Sequence, residues 1–272
     1  MRFSQKQIIS PKVNLRLFEN KNIDDEWSFK ECKPSDTGKW THNFHRYPAK
    51  FIPQLAEKLI DEYIINKNAH INDPFYGCGT TIVTAISKGF RASGTDINKI
   101  ANLITKVKST PIEPVYLDKK IRQFLSKIKC IDEKNSLFHD CEIEPLIPQR
   151  HIDRINYWFS EKNKISLGKI LRVIYDESDL NIRNFFLVAF SHILKNCSIW
   201  SQGSTKPTRD FNKKPAKPYD AIRKHLLKMQ RGNNDFYSIV PQYVIENIDN
   251  YINITIDDAR YQPVENNSVD LI

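Results

Sequence analysis

The sequence predicts an α/β protein, a Rossmann-like parallel sheet interrupted by a largely helical insertion. Three observations carry that prediction. Four of the eight glycines (Gly77, Gly79, Gly89, Gly94) fall within 18 residues, so an unusual backbone is built locally. The residues around them follow the order strand, glycine turn, helix, strand, acid. From Pro111 to about Trp200, apolar residues then recur every three and four positions, the period of helices.

Residues 1–40, with Trp27 and Trp40, are mixed in charge and weakly periodic, and read as an N-terminal extension. Met1-Arg2-Phe3-Ser4-Gln5-Lys6 leads into no long apolar run, and no 18-residue apolar window occurs. A soluble, unexported, cytoplasmic protein with no membrane partner is expected. Thr41 to Pro53 is rich in aromatics and leads into an amphipathic helix, Gln54 to Ile64, with Leu55, Leu59, Ile60 and Tyr63 at helical spacing.

Ala69-His70-Ile71-Asn72 is extended in character and ends at Pro74. The glycine turn follows, then a helix from Thr80 to Lys88 closed by Gly89, then a strand from Phe90 to Thr95. Asp96 stands 19 residues after Gly77, close to the roughly 20 expected of a ribose-binding acid. Glycines let the backbone approach a ligand, and a carboxylate at a strand tip accepts both ribose hydroxyl hydrogens. Ile82 occupies the place of the third glycine of the dinucleotide fingerprint, and no Gly-Lys-Ser/Thr follows, so neither that fingerprint nor a P-loop is present.

A helix from Lys99 to about Lys108 precedes the insertion. Within it the helical stretches are Leu117 to Ile128, Ile165 to Tyr175 and, most clearly, Leu180 to Cys197. The last repeats Ile182, Phe185, Phe186, Ala189, Ile193 and Cys197 behind an Asp179 N-cap. These stripes are core.

Ser201 to Arg231 holds nine Lys/Arg against Asp210 and Asp220, and its prolines (Pro207, Pro215, Pro218) forbid continuous helix before about Tyr219. It reads as a basic loop leading into a basic helix. The plain reading is solvated surface, and the functional one is phosphate contact through Lys206, Arg209, Lys213, Lys214 and Lys217. The net charge of +9 and pI near 9.2 favour a polyanionic partner. Tyr251 to Ile256 reads as a buried strand of the same sheet, and Asn267 to Ile272 as a further strand. Five cysteines without a Cys-x-x-Cys pair favour reduced thiols over a disulfide framework or a metal site.

Asp73-Pro74-Phe75-Tyr76-Gly77-Cys78-Gly79-Thr80-Thr81 resembles the S-adenosylmethionine-binding motif of the amino-group DNA methyltransferases, which make N4-methylcytosine or N6-methyladenine. Tyr47-Pro48-Ala49-Lys50-Phe51-Ile52-Pro53, some 25 residues earlier, resembles the motif that closes over the methionine end of that cofactor. Asp257-Asp258-Ala259-Arg260 resembles the family's Gly-Asp-Ala-Arg, with Asp257 in place of glycine.

The resemblance implies an S-adenosylmethionine-dependent methyltransferase sheet. Asp73, Phe75, Gly77, Gly79 and Thr80 would shape the cofactor site, Asp96 would hold the ribose with Ile97 beside it as a further cofactor-site residue, Tyr47, Lys50 and Phe51 would line the methionine side, and Asp258 would contact adenine. The expected division is an extension over 1–40, a cofactor half over 41–110, a helical insertion with the basic DNA-recognition segment over 111–245, and a return to the sheet over 246–272.

In this family a strand like 267–272 is followed by Asp/Asn/Ser-Pro-Pro-Tyr/Phe/Trp, which accepts the hydrogens of a flipped base's amine. No Pro-Pro dipeptide occurs in the sequence, and Asp73 to Tyr76 mimics the motif only superficially. The expectation is therefore a site-specific restriction-modification methyltransferase of double-stranded DNA, incomplete for catalysis, with catalytic residues unassigned. The implied partners are a second polypeptide carrying the Pro-Pro turn and a restriction endonuclease of the same site. An RNA or protein-amine methyltransferase, and a non-catalytic subunit of a split enzyme, are the alternatives.

Overall fold

The computed structural model describes residues 27–129, 143–204 and 206–272. Most of the expected extension, and the expectations placed on Met1 to Lys6, Cys130 and Cys141, lie outside them. The chain divides into two units, 1–32 and 33–272. In the first, the Cys32 amide donates to the Phe29 carbonyl at 3.1 Å, closing a turn in which Phe29 has φ +47°.

The second unit opens with the short helix α1 (Pro34–Thr37), followed by α2 (Pro53–Tyr63). The nucleotide-type unit comes next: β1 (His70–Asp73), α3 (Thr80–Ser87) and β2 (Arg91–Thr95), with β1 and β2 parallel and paired from His70 against Arg91 to Asp73 against Gly94. α4 (Lys99–Ser109) starts where the Asn98 side chain accepts the Ile100 amide, an N-cap that satisfies a donor the helix itself cannot.

Among the described residues the regular elements of the insertion are helices: α5 (Pro114–Ile128), α6 (Ile152–Trp158), α7 (Glu161–Tyr175), α8 (Leu180–Cys197) and α9 (Pro218–Ile239). Asp179 caps α8 by accepting from the Asn181 and Ile182 amides. α9 starts one residue before Tyr219, because proline at the first helical position sacrifices no hydrogen bond. Short turns α10 (Gln242–Ile245) and α11 (Ile248–Tyr251) return the chain to β3 (Ile252–Thr255), which pairs in parallel with β2.

Two strand expectations need correction. The segment read as a buried strand over 251–256 is a four-residue strand at the β3 edge of the sheet, with Asn253 exposed. Tyr251 is spent closing α11. The segment 267–272 supplies a single parallel bridge, Leu271 to Ile71, because Asn267 adopts φ +60° and the Ser268 hydroxyl bonds back to the Glu265 carbonyl, forming a turn where a strand would start. That bridge still matters for topology. The Asn72 amide donates to the Leu271 carbonyl at 2.9 Å and the Asp270 carboxylate accepts the His70 amide at 2.8 Å, on the side of β1 away from β2. The order Leu271, β1, β2, β3 reverses at β1, which makes its carboxyl end the switch point where ligands bind in open α/β sheets.

Two cores flank this arrangement. Ile71, Ile82, Val83, Ile86 and Ala92 centre the sheet core, and Phe185, Phe186, Ile193, Leu226 and Met229 the helical one. Phe185 packs edge-on against Phe44 and Phe186 stacks on Phe124 at 4.4 Å. Each such buried ring contributes about 1.5–3 kcal/mol. α9, 22 residues and hence about 33 Å long, puts Met229 in the helical core and Phe236 in the sheet core. No described helix is long and apolar enough to cross a membrane.

Candidate functional site

The turn between β1 and α3 is built on two left-handed glycines, Gly77 at φ +52° and Gly79 at φ +74°. Gly79 is also sterically obligatory. A Cβ there would come within 2.5–2.9 Å of the Thr105 side chain, whose hydroxyl is donating to the Gly77 carbonyl at 3.0 Å. The turn thus lies against α4, and Thr80 and Thr81 bring the positive end of α3 to the switch point.

A cavity of about 100 Å³ opens there, and seven of the expected cofactor residues line it: Tyr47, Lys50, Phe51, Asp73, Phe75, Gly77 and Thr80. The segment from Tyr47 to Phe51 forms one wall. It is held by the Lys50 ammonium donating to the His42 carbonyl at 3.0 Å and by the Thr80 hydroxyl donating to the Phe51 carbonyl at 3.4 Å. Asp73 accepts the Phe75 amide, which fixes the turn but leaves the Phe75 ring 76% exposed.

The other four expected residues lie around this cavity or apart from it. Gly79 is the N-cap of α3. Asp96 is half-buried and brackets two backbones: one carboxylate oxygen accepts the Gly77 amide at 3.0 Å, the other the Asn98 amide at 2.8 Å. The Asn98 side chain donates to the Tyr47 hydroxyl at 3.4 Å, so turn, second strand and wall are tied together. Ile97 is exposed at the tip of β2. Asp258 stands apart, half-exposed, accepting the Arg260 amide and pairing with its guanidinium at 2.9 Å. That pair holds its carboxyl below the usual range and Arg260 above its own.

Three side chains that sequence reasoning passed over also build the site. Lys108 is fully buried beneath the turn and donates to the Cys78 carbonyl at 2.5 Å. Burial, only partly countered by Cys78, lowers its ammonium from 10.5 to about 8. Its position was readable, because Ala101, Ile104 and Lys108 share one helix face and the first two are apolar. His42 is buried with neither ring nitrogen hydrogen-bonded; burial and then Lys108 hold it well below the usual histidine range. Gln262 donates to the Thr95 hydroxyl at 2.9 Å and accepts from Asn72 at 3.0 Å, stitching the chain after β3 across the ends of β1 and β2. No sequence pattern marked it.

The five expected nucleic-acid cations divide by environment. Lys206 and Lys214 are exposed. The Arg209 guanidinium lies between Tyr157 and Phe211, 4.2 and 4.5 Å from the ring centres. Lys213 turns inward, its ammonium donating to the Lys195 and Trp200 carbonyls at 2.7 and 2.6 Å, and burial lowers its pKa. Lys217 is the N-cap of α9. The loop itself is pinned by an antiparallel bridge between Trp200 and Arg209.

The chain is similar to known DNA methylases. The DNA methylase family model matches residues 3–106. A type II methyltransferase of Kocuria varians, M.MvaI, is 30% identical over 87% of the chain and 52% of its own length. M.MjaII of Methanocaldococcus jannaschii is 22% identical over 89% of the chain and 57% of its own length, and M.BsoBI of Geobacillus stearothermophilus is 40% identical over 68 residues. The chain thus spans about half the length of the first two relatives. No solved structure gives a significant match.

Proposed function

We propose that the chain is a member of the amino-group DNA methyltransferases, to which it is similar, and that it serves site-specific methylation of double-stranded DNA in a restriction-modification system. The methyl group passes from S-adenosylmethionine to the exocyclic amine of cytosine N4 or adenine N6. One observation carries this reading: the cavity between Tyr47–Phe51 and the glycine turn, flanked by the N-terminus of α3 and by Asp96.

The donor set fits the cofactor. Lys50 and the positive end of α3 suit the methionine carboxylate. Each Asp96 oxygen takes one amide hydrogen and keeps a lone pair for a ribose hydroxyl. Phe75 and Ile97 offer exposed apolar surface for adenine, with Asp258 as its polar contact. When bound, S-adenosylmethionine supplies an electrophilic methyl group on sulfur.

Lys50, the N-terminus of α3 and Asp96 would hold the cofactor so that this methyl group is available to the target amine. In this reading the residues around the cavity orient the donor and carry none of the groups that accept the amine hydrogens. No Pro-Pro dipeptide occurs among the 272 residues, and in this reading the turn that receives the amine hydrogens is supplied from outside them. The same observation favours a second reading, a cofactor- and DNA-binding subunit whose partner polypeptide carries the turn. Exposed Lys206 and Lys214 contact phosphates, while Arg209, Lys213 and Lys217 order the basic segment. The division into a cofactor half over 41–110, an insertion over 111–245 and a return over 246–272 belongs to the same reading, as do a cytoplasmic location and a cognate endonuclease.

Transfer of labelled methyl from S-adenosylmethionine to unmethylated DNA, measured with cofactor binding in one sample, tests the proposal. Binding that Asp96→Ala abolishes in a folded protein supports the site. Unchanged affinity in that variant removes the ribose assignment, and no binding by the unaltered chain removes the cofactor assignment.

A further inference from the structure

Among the described residues, exposed cations without a partner gather along α9 as well as in the basic loop. A groove of about 450 Å³ runs between α8 and α9, with Arg46, Lys224, Lys228 and Arg231 around it and Asp220 as its one carboxylate. Lys224, Lys228 and Arg231 occupy i, i+4 and i+7 of α9, so they form one stripe about 10 Å long. All three are exposed, and none forms an ion pair or side-chain hydrogen bond among the described residues. Lys228 is lowered by partial burial and then by Arg46, Lys50 and Arg231, the mark of cations gathered without a counter-charge.

The floor is built and polar. His192 and His225 stack in parallel at 3.7 Å; His225 is fixed by the Phe44 carbonyl at 2.8 Å, while the buried Nδ1 of His192 has no partner. Burial, and for His192 its neighbour as well, lowers the pair to about 2 for His192 and about 4 for His225, so both rings are neutral at pH 7. The groove also adjoins the cofactor cavity, since Arg46 lines one and Tyr47 the other. α9 sits hard against the segment that leads to the Tyr47–Phe51 wall: a Cβ on Gly232 would fall 2.2 Å from the Trp40 carbonyl oxygen.

We infer that this groove is the track for one strand of the DNA backbone, delivering the duplex beside the methyl-donor cavity; the inference rests on the DNA-methylation reading above. Charge complementarity names the occupant. One phosphate recurs per ~3.4 Å of axis on a strand, so the stripe on α9 engages about three phosphates. Three cations in a row on one helix suit a polyanion rather than a single bound anion.

The test is duplex binding by the 272-residue chain at 50–200 mM salt, with a fluorescent duplex of mixed sequence and S-adenosylmethionine binding followed in parallel. Each phosphate contact contributes about 0.9 to the slope of log affinity against log salt. The triple variant Lys224→Gln/Lys228→Gln/Arg231→Gln is expected to flatten that slope by about 2.7 while leaving cofactor affinity unchanged, whereas Lys67→Gln/Lys119→Gln/Lys127→Gln, three exposed lysines elsewhere, changes it little. An unchanged slope in the groove variant, beside salt-dependent binding by the unaltered protein, overturns the groove and leaves the DNA reading standing. Equal flattening in both variants, or preference for a structured RNA over the duplex in competition, also overturns it. No DNA binding by the unaltered chain removes both readings. Should the triple variant misfold, Lys228→Gln alone is read against an expected change of about 0.9.

Discussion

Lys108 should make the stability of this protein rise in alkali, against the usual trend. Its ammonium is buried under the glycine turn and lowered from 10.5 to about 8. Below pH 8 both the folded and the unfolded chain carry this proton, and the folded state bears the cost of a buried charge. Between pH 8 and 10.5 the unfolded chain keeps the proton and the folded one has lost it, so unfolding becomes harder as pH rises. The displacement, at ~1.4 kcal/mol per pH unit, is worth about 3.4 kcal/mol across that window.

Lys108→Met keeps the length of the side chain and removes the charge. It also strips the Cys78 carbonyl of its donor, which costs about 1–3 kcal/mol, so near pH 7 the two effects nearly cancel. The assay is urea unfolding of both proteins at pH 7.5 and 10.5. Other lysines and tyrosines titrate in the same range, but they do so in both proteins and drop out of the difference. Wild-type stability minus variant stability should grow by about 3 kcal/mol between the two pH values. A difference that stays constant would refute the reasoning, because it would mean that Lys108 titrates like a solvated lysine.

Two further outcomes follow from the geometry. Gly79→Ala combines left-handed backbone strain with a clash against Thr105, and should cost about 2–5 kcal/mol; adding Thr105→Ser removes the methyl group at 2.5 Å and should recover part of the loss in a thermal melt. Lys213→Met should cost about 1–3 kcal/mol by leaving two carbonyls unpaired, whereas Lys214→Met should stay within about 0.5 kcal/mol of wild type, an order that denaturant titration can reverse or uphold.

The α/β class and the first βαβ unit were legible because they depend on local chemistry. Positive-φ turns demand glycine, and a capped amphipathic run such as 180–197 announces itself by period. The place of Asp96 beside the glycine turn was legible through its spacing, although its bracket on Gly77 and Asn98 was not. The basic segment shows where reading stops. Lys213 and Lys214 are adjacent and alike in sequence, yet one ammonium is spent on two carbonyls 13 and 18 residues away and the other meets solvent. Counting charges cannot separate them. The groove on α9 was hidden for a related reason: its stripe is readable as helix periodicity, but Arg46, some 180 residues earlier, joins it only in the folded chain.

The bridge between Ile71 and Leu271 joins residues 200 apart. Parallel pairing over such a span makes folding slow, because the loop must close before any contact rewards it. During synthesis at ~5–20 residues per second, the outer edge of β1 waits roughly 10–40 s for Leu271 to emerge. For that interval Ile71 and its unpaired backbone are a template for any passing strand. The nascent chain therefore depends on α2 and α3 to shield the sheet core early, and overexpression should drive it toward aggregation through this edge before any other.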